Sequence, residues 1–216
     1  MEERYAVLTG DLIASSKLAP EQLQEVMGFL QSRPEVFEQT YPGSVVGQMA
    51  VFRGDAWQML LRRPEMALRC ALYFRSSLFA RFGVRTRLAI GIGGVQHIDE
   101  GNISASTGEA FERSGIVLNR LETVKRSGDM GIEAGGGRDF LYTTVRLLDA
   151  LADRWTKLQA RSIEGVLLGY TQKEIADACF KKTIQQNIAK ALQSADWSVI
   201  EESLDVFEQY VSMNAL

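Results

Sequence analysis

The chain has 216 residues, of which 46% are hydrophobic and 24% charged, and its formal net charge is −3. That is the composition of an ordinary globular protein with room for one large domain or two smaller ones. It excludes a bilayer span, which needs roughly 20 apolar residues in a row, and a surface coated in basic residues, though not a local basic patch.

The Met-Glu-Glu-Arg start fits neither a signal peptide nor a transit peptide, so a cytoplasmic location is expected. Cys70 and Cys179 lie far apart, form no metal-binding spacing and fall within apolar helical patterns. Reduced core thiols are the expectation.

In chain order, residues 5–9 predict a short buried strand closed by Gly10-Asp11. Ser15, Ser16 and Lys17 form a polar loop, and Pro20 opens a helix striped by Leu23, Val26, Met27 and Leu30. Pro34 and Pro42-Gly43 bracket a loop. Val45–Leu61 then predicts a hairpin whose tip is Phe52-Arg53-Gly54-Asp55, because Gly beside Asp between two apolar runs tolerates the positive φ of a tight turn. The ends of the first strand and of this hairpin are expected to meet, bringing Asp11 and Asp55 to one site.

Pro64 starts a helix with the stripe Ala67, Cys70, Ala71, Phe74, Leu78 and Phe82, ended by Gly83. The next strand, residues 84–95, alternates between an apolar row, Thr86, Leu88, Ile90 and Ile92, and a small row, Arg87, Ala89, Gly91 and Gly93. The small row is expected to be free for a ligand or a second subunit. Gly91, Gly93 and Gly94 suit either a close phosphate or a bulge. His97, the single histidine, reads as a loop residue. A helix over 106–124 carries Phe111, Ser114, Gly115, Leu118 and Leu121 on one face, with Ser114-Gly115 allowing close backbone approach. The glycines at 135–137 mark a break, so the domains read as 1–137 and 138–216.

Everything from Asp139 onward reads as helical. A first stripe is Phe140, Thr144, Leu147, Leu148, Leu151 and Trp155; Ile163, Val166 and Leu167 follow, with Gly169 as a stop. Thr171-Gln-Lys-Glu174 and Thr183-Ile-Gln-Gln186 have the form of capping boxes opening two short helices. Ser198 opens a last helix, striped by Ile200, Leu204, Phe207 and Val211 beside Trp197.

Two short helices joined by a turn suggest a helix-turn-helix. In such a unit Gln185, Gln186 and Asn187 would enter a major groove, where Gln and Asn pair bidentately with adenine. Lys181, Lys182 and Lys190 would contact the backbone phosphates, and Thr183 is a further candidate DNA contact. Charge is segregated accordingly: residues 154–192 hold seven Lys and Arg against three acids, a local +4, while 193–216 hold five acids and no Lys or Arg. The turn, Cys-Phe-Lys-Lys, is about two residues longer than the usual tight turn. A plain helical bundle used for dimerisation fits the same helices.

The order strand, helix, hairpin, helix, strand is ferredoxin-like, a fold that hosts many functions. The expected class is therefore α+β: a ferredoxin-like βαββαβ domain followed by an all-α helix-turn-helix region. Asp11 and Asp55 could hold Mg²⁺, which needs only one or two carboxylates plus phosphates. They could equally be turn-forming residues.

Gly10-Asp-Leu-Ile-Ala-Ser-Ser-Lys17, Phe52-Arg-Gly-Asp-Ala-Trp-Gln58, Ala89-Ile-Gly-Ile-Gly93, Thr107-Gly-Glu-Ala-Phe-Glu-Arg-Ser-Gly115 and Thr171-Gln-Lys-Glu-Ile-Ala176 occur in that order. Together they resemble the SatD family of small bacterial proteins over nearly the whole chain. The first four segments are also similar, more distantly, to the catalytic core of class III nucleotidyl cyclases. That similarity implies metal-binding aspartates at Asp11 and Asp55 and a triphosphate loop at Ala14–Lys17. The candidate nucleotide contacts are Ser15, Ser16, Lys17 and Arg53.

The catalytic remainder departs from the cyclase pattern. Val51 stands at the base-selecting Lys, Glu112 at the transition-state Asn and Ile116 at the Arg. Phosphoryl transfer depends on positioned positive charge, so the resemblance implies ligand binding more than turnover. The expectation is a DNA-binding transcriptional regulator, homodimeric, whose cyclase-like domain senses a nucleotide or other phosphorylated ligand through Mg²⁺. The alternatives are a divergent nucleotidyl cyclase or nucleotidyltransferase with a dimerising helical tail, and a cyclase-like domain used only as an assembly scaffold.

Overall fold

The computed structural model of the protein describes residues 3–124, 128–136, 138–179 and 184–214. The N-terminal part runs β1 (Arg4–Leu12), α1 (Pro20–Gln31), α2 (Arg33–Thr40), β2 (Val45–Phe52), β3 (Ala56–Leu61), α3 (Ala67–Phe82), β4 (Thr86–Gly94), α4 (Glu109–Thr123) and β5 (Met130–Glu133). The helical part is α5 (Arg138–Ala152), α6 (Lys157–Leu167), α7 (Gln172–Cys179), α8 (Gln185–Ser194) and α9 (Trp197–Asn214). The class is α+β: a five-stranded mixed sheet with helices, followed by an all-helical region. Among the described residues, no helix is long and apolar enough to cross a membrane.

The sheet order is β2-β3-β1-β4-β5. The central strand β1 is antiparallel to both β3 and β4, while β4 and β5 are parallel. Alternation along β1 assigns its faces. Ala6, Leu8 and Leu12 pack into the main core with Trp57 and Phe74, whereas Tyr5 and Val7 pack with Ala110 of α4. The Trp57 and Phe74 rings stack at 5.3 Å.

Several expectations need correction. Gly10-Asp11 does not close β1, which continues to Leu12. Gly10 is a packing glycine: a Cβ there would come within 2.5 Å of both the Trp57 indole and the Arg87 carbonyl. Residues 33–40 form a helix rather than a loop, with Pro34 in its first turn, where a missing N–H costs nothing. β5 is an additional strand.

The small row of β4 is not free, because α4 lies across it. A Cβ on Gly91 would collide with the Ala110 carbonyl oxygen and the Ser114 N–H, and one on Gly93 with Glu109. The close approach expected at Ser114-Gly115 is therefore made at Ser114 and Ala110 against Gly91. The buried stripe of α4 is accordingly Ala110, Ser114, Val117 and Leu121; Phe111 is only half-buried and Gly115 faces solvent.

The helical part shares the main core. α6 packs along α3, and Ile163, Leu167, Ile175, Ile188, Leu204 and Phe207 belong to the same apolar cluster as Leu8 and Trp57. Polar ties cross the same boundary. Tyr41 donates to the Leu167 carbonyl at 2.5 Å, Arg69 donates to Glu208 at 2.6 Å, and Arg75, buried, pairs with Asp149 of α5.

Candidate functional site

Sheet pairing brings the two expected strand ends together. Asp11 sits opposite Ala56 in the β1–β3 register, and Leu12 N–H donates to the Asp55 carbonyl at 3.2 Å. The hairpin tip turns through Arg53 and Gly54 at φ 55° and 88°. Glycine takes the left-handed region without cost, whereas Arg53 is held there at roughly 1–2 kcal/mol. Beyond β1, Ala14 is also left-handed, and Ser15–Lys17 form a 3-10 turn. Ser15 Oγ donates to Asp55 Oδ2, fixing the turn to the hairpin tip. Ser16, Lys17 and Arg53 are solvent-exposed around this pair.

A cleft of about 450 Å³ opens beside the tip, lined by Leu23, Gln24, Met27, Gly28 and Gln31 of α1 together with Gly54. Its size falls within the range of small-molecule sites. Pro20, Leu23 and Met27 give it apolar contact, and Gln24 and Gln31 give it hydrogen-bonding groups.

Asp11 has a partner on the other flank. Arg87 of β4 lies directly opposite it in register and donates from Nη1 to Oδ2 at 2.7 Å. Asp11 Oδ1 is buried and has no hydrogen-bond partner. Burial pushes the Asp11 carboxyl above its ordinary value; Arg87 pulls it down, and Glu122 and, least of all, Asp55 push it up.

The donor set therefore fits Mg²⁺ poorly. One Asp11 oxygen is held by a guanidinium, one Asp55 oxygen is held by Ser15, and a unit positive charge stands beside the seat. Among the described residues, no cluster of three or more His, Cys, Asp and Glu is placed to hold a metal. His97 is exposed in the loop, where it pairs with Thr107. Cys70 is buried, and desolvation pushes its thiol well up; the Cys179 side chain lies outside the described residues.

The second candidate surface is α8. Ile188, Ala191 and Leu192 are buried, while Gln185, Gln186, Asn187 and Lys190 face solvent. α8 packs against α6, α7 and α9. The capping box at Thr171 forms: Glu174 N–H donates to Thr171 Oγ1 at 3.3 Å and Thr171 N–H to Glu174 at 2.8 Å. A second one, Thr156 with Gln159, opens α6. At α8 the N-cap is Ile184, without a side-chain cap. Lys181, Lys182 and Thr183 lie outside the described residues. The final helix begins at Trp197, one residue before Ser198.

No protein-family model matches the chain, and no curated protein matches it. Arg87 is the site residue that local reading of the sequence missed. It is the single charge in a row otherwise made of Ala89, Gly91 and Gly93, and that contrast was the available signal.

Proposed function

We propose that the protein is a DNA-binding regulator, acting as a homodimer, in which α6, α7 and α8 form the DNA-reading unit and the sheet end senses a nucleotide or other phosphorylated ligand. The observation that carries this reading is the division of α8 into two faces. Its back is locked by Ile188, Ala191 and Leu192, while its front presents Gln185, Gln186, Asn187 and Lys190. A recognition helix needs such a rigid back and a polar front of groove-reading amides.

The finer fold reading follows the same line. In β2-β3-β1-β4, two β-α-β units interleave so that β3 lies between β1 and β2, and β1 between β3 and β4. This order supports a ferredoxin-like, cyclase-like domain. The cleft beside Gly54 supports a ligand seat. The exposed stripe Val199, Val206 and Met213 on α9, recurring every seven residues, supports self-association.

Fluorescence anisotropy with DNA from the protein's own operon tests the reading. Saturable binding is expected to weaken steeply with salt and to be lost in the double variant Gln186→Ala, Asn187→Ala. Binding that ignores both salt and these substitutions would remove the proposal. The mass in solution, by light scattering, tests the dimer.

A further inference from the structure

We propose that Arg87 is the resident cation of the Asp11 site, so that this end of the sheet takes its ligand without a divalent metal. The inference deepens the sensor reading above and, for its ligand, rests on it.

Geometry makes the first argument. Arg87 and Asp11 are direct cross-strand partners on adjacent strands, both backbones fixed by the β1–β4 ladder. Opposite charges at such positions attract, and the short contact of 2.7 Å is that of a charge-assisted bond. The side chains are 27% and 16% exposed, so water screens the pair only in part. A dication bound at Asp11 would lie beside this guanidinium. At a few ångströms in a half-buried site, that repulsion opposes binding of the dication.

The rest of the site is arranged consistently. Asp55, the other expected ligand, already accepts from Ser15. Asp11 Oδ1 is buried and accepts no hydrogen bond from a protein group.

Charge decides the class of ligand. Arg87, Lys17 and Arg53 stand against Asp11, Asp55 and Glu122, so every phosphate a ligand carries adds uncompensated negative charge and the ligand with the fewest phosphates fits best. A metal-free ligand that fits brings hydroxyl or amino donors for Asp11 and a single phosphate for Lys17 or Arg53. That is a nucleoside monophosphate rather than a metal triphosphate.

Loss of the free Mn²⁺ paramagnetic signal on titration reads the metal directly, without any ligand. Wild type is expected to leave Mn²⁺ free. Arg87→Met is expected to bind it at least about tenfold more tightly, the guanidinium's repulsion being gone, and Arg87→Met with Asp11→Asn to lose that gain. Mn²⁺ binding by wild type that disappears in Asp11→Asn overturns the inference, as does a folded Arg87→Met variant with no gain.

Melting curves with AMP, GMP, CMP and UMP, each in Mg²⁺ and in EDTA, give the second arm, which holds even if Arg87→Met does not fold. Equal stabilisation in both buffers is expected, and stabilisation that requires Mg²⁺ overturns the metal-free site. If none of the four stabilises the protein in either buffer, the ligand class proposed here is overturned, whereas the Mn²⁺ titration still decides the role of Arg87.

Discussion

Gly165 of α6 lies against Ile175 of α7 so closely that a Cβ on the glycine would come within 2.5 Å of Ile175 Cγ1. Ile175 is fully buried, so its side chain has nowhere to retreat. The crossing of these helices fixes where α7 sits, and α7 in turn backs α8. Gly165→Val is expected to cost roughly 1–3 kcal/mol through overpacking, lowering Tm by about 2–4 °C per kcal/mol. If α8 reads DNA, the same variant loses DNA affinity more than its melting temperature suggests, because α8 is displaced. Anisotropy and thermal melts on one preparation check both.

Lys190 is exposed on the front of α8. If it meets a phosphate, Lys190→Ala weakens binding to all DNA sequences alike and reduces the log–log salt slope by about 1. Gln186→Ala should instead leave the slope unchanged and relax preference at one base position by roughly 1–3 kcal/mol. Titrations at four salt concentrations separate the two behaviours.

Gly91 is expected to tolerate no side chain. Any Cβ meets the backbone of Ala110 and Ser114, and backbone cannot rotate aside. Gly91→Ala should cost roughly 1–3 kcal/mol, whereas Gly115→Ala, with no heavy atom within 4 Å of the added carbon, should be neutral or slightly stabilising through helix propensity. Urea unfolding of the pair checks the contrast.

Glu164 of α6 is buried, and burial raises its carboxyl above the ordinary 4.5 despite an Arg161 bond at 2.8 Å. With the folded value raised, the folded chain binds the proton more tightly than the unfolded one. The stability this confers is complete below pH 4.5 and is lost as pH climbs through the folded value. Glu164→Gln, which stays neutral and still accepts from Arg161, should therefore melt higher than wild type at pH 7. The gap should close as pH falls towards 4.5, and melts at half-unit pH steps measure it.

How much of this was legible in the sequence depends on range. The alternation of Leu88, Ile90 and Ile92, the stripes of α1 and α3, and the Thr171 capping box are local signals, and each led to an observed element. α2 was hidden because Pro34 reads as a loop marker unless its place in the first helical turn is known. β5, four residues long, is too short to show periodicity. The row Ala89, Gly91 and Gly93 fits an open face and a tightly packed helix equally well, and only the neighbouring element decides between them. The partnership of Arg87 with Asp11 spans 76 residues and depends on strand register, which no local pattern contains. The meeting of the Asp11 and Asp55 backbones was legible because Gly-Asp pairs flank apolar runs there; the separate partners of their carboxylates, Arg87 and Ser15, were not.

The place of β1 at the centre of the sheet has a kinetic consequence. It leaves the ribosome before every other strand of this sheet, and both of its neighbours come later, β3 at residues 56–61 and β4 at 86–94. At roughly 5–20 residues per second, its two edges wait seconds before either can be capped. During that interval Tyr5–Leu8 is an unpaired apolar segment, open to chaperones or to the same strand of another nascent chain. Refolding in vitro should accordingly be limited by these long-range pairings rather than by the helices, and should lose yield as concentration rises.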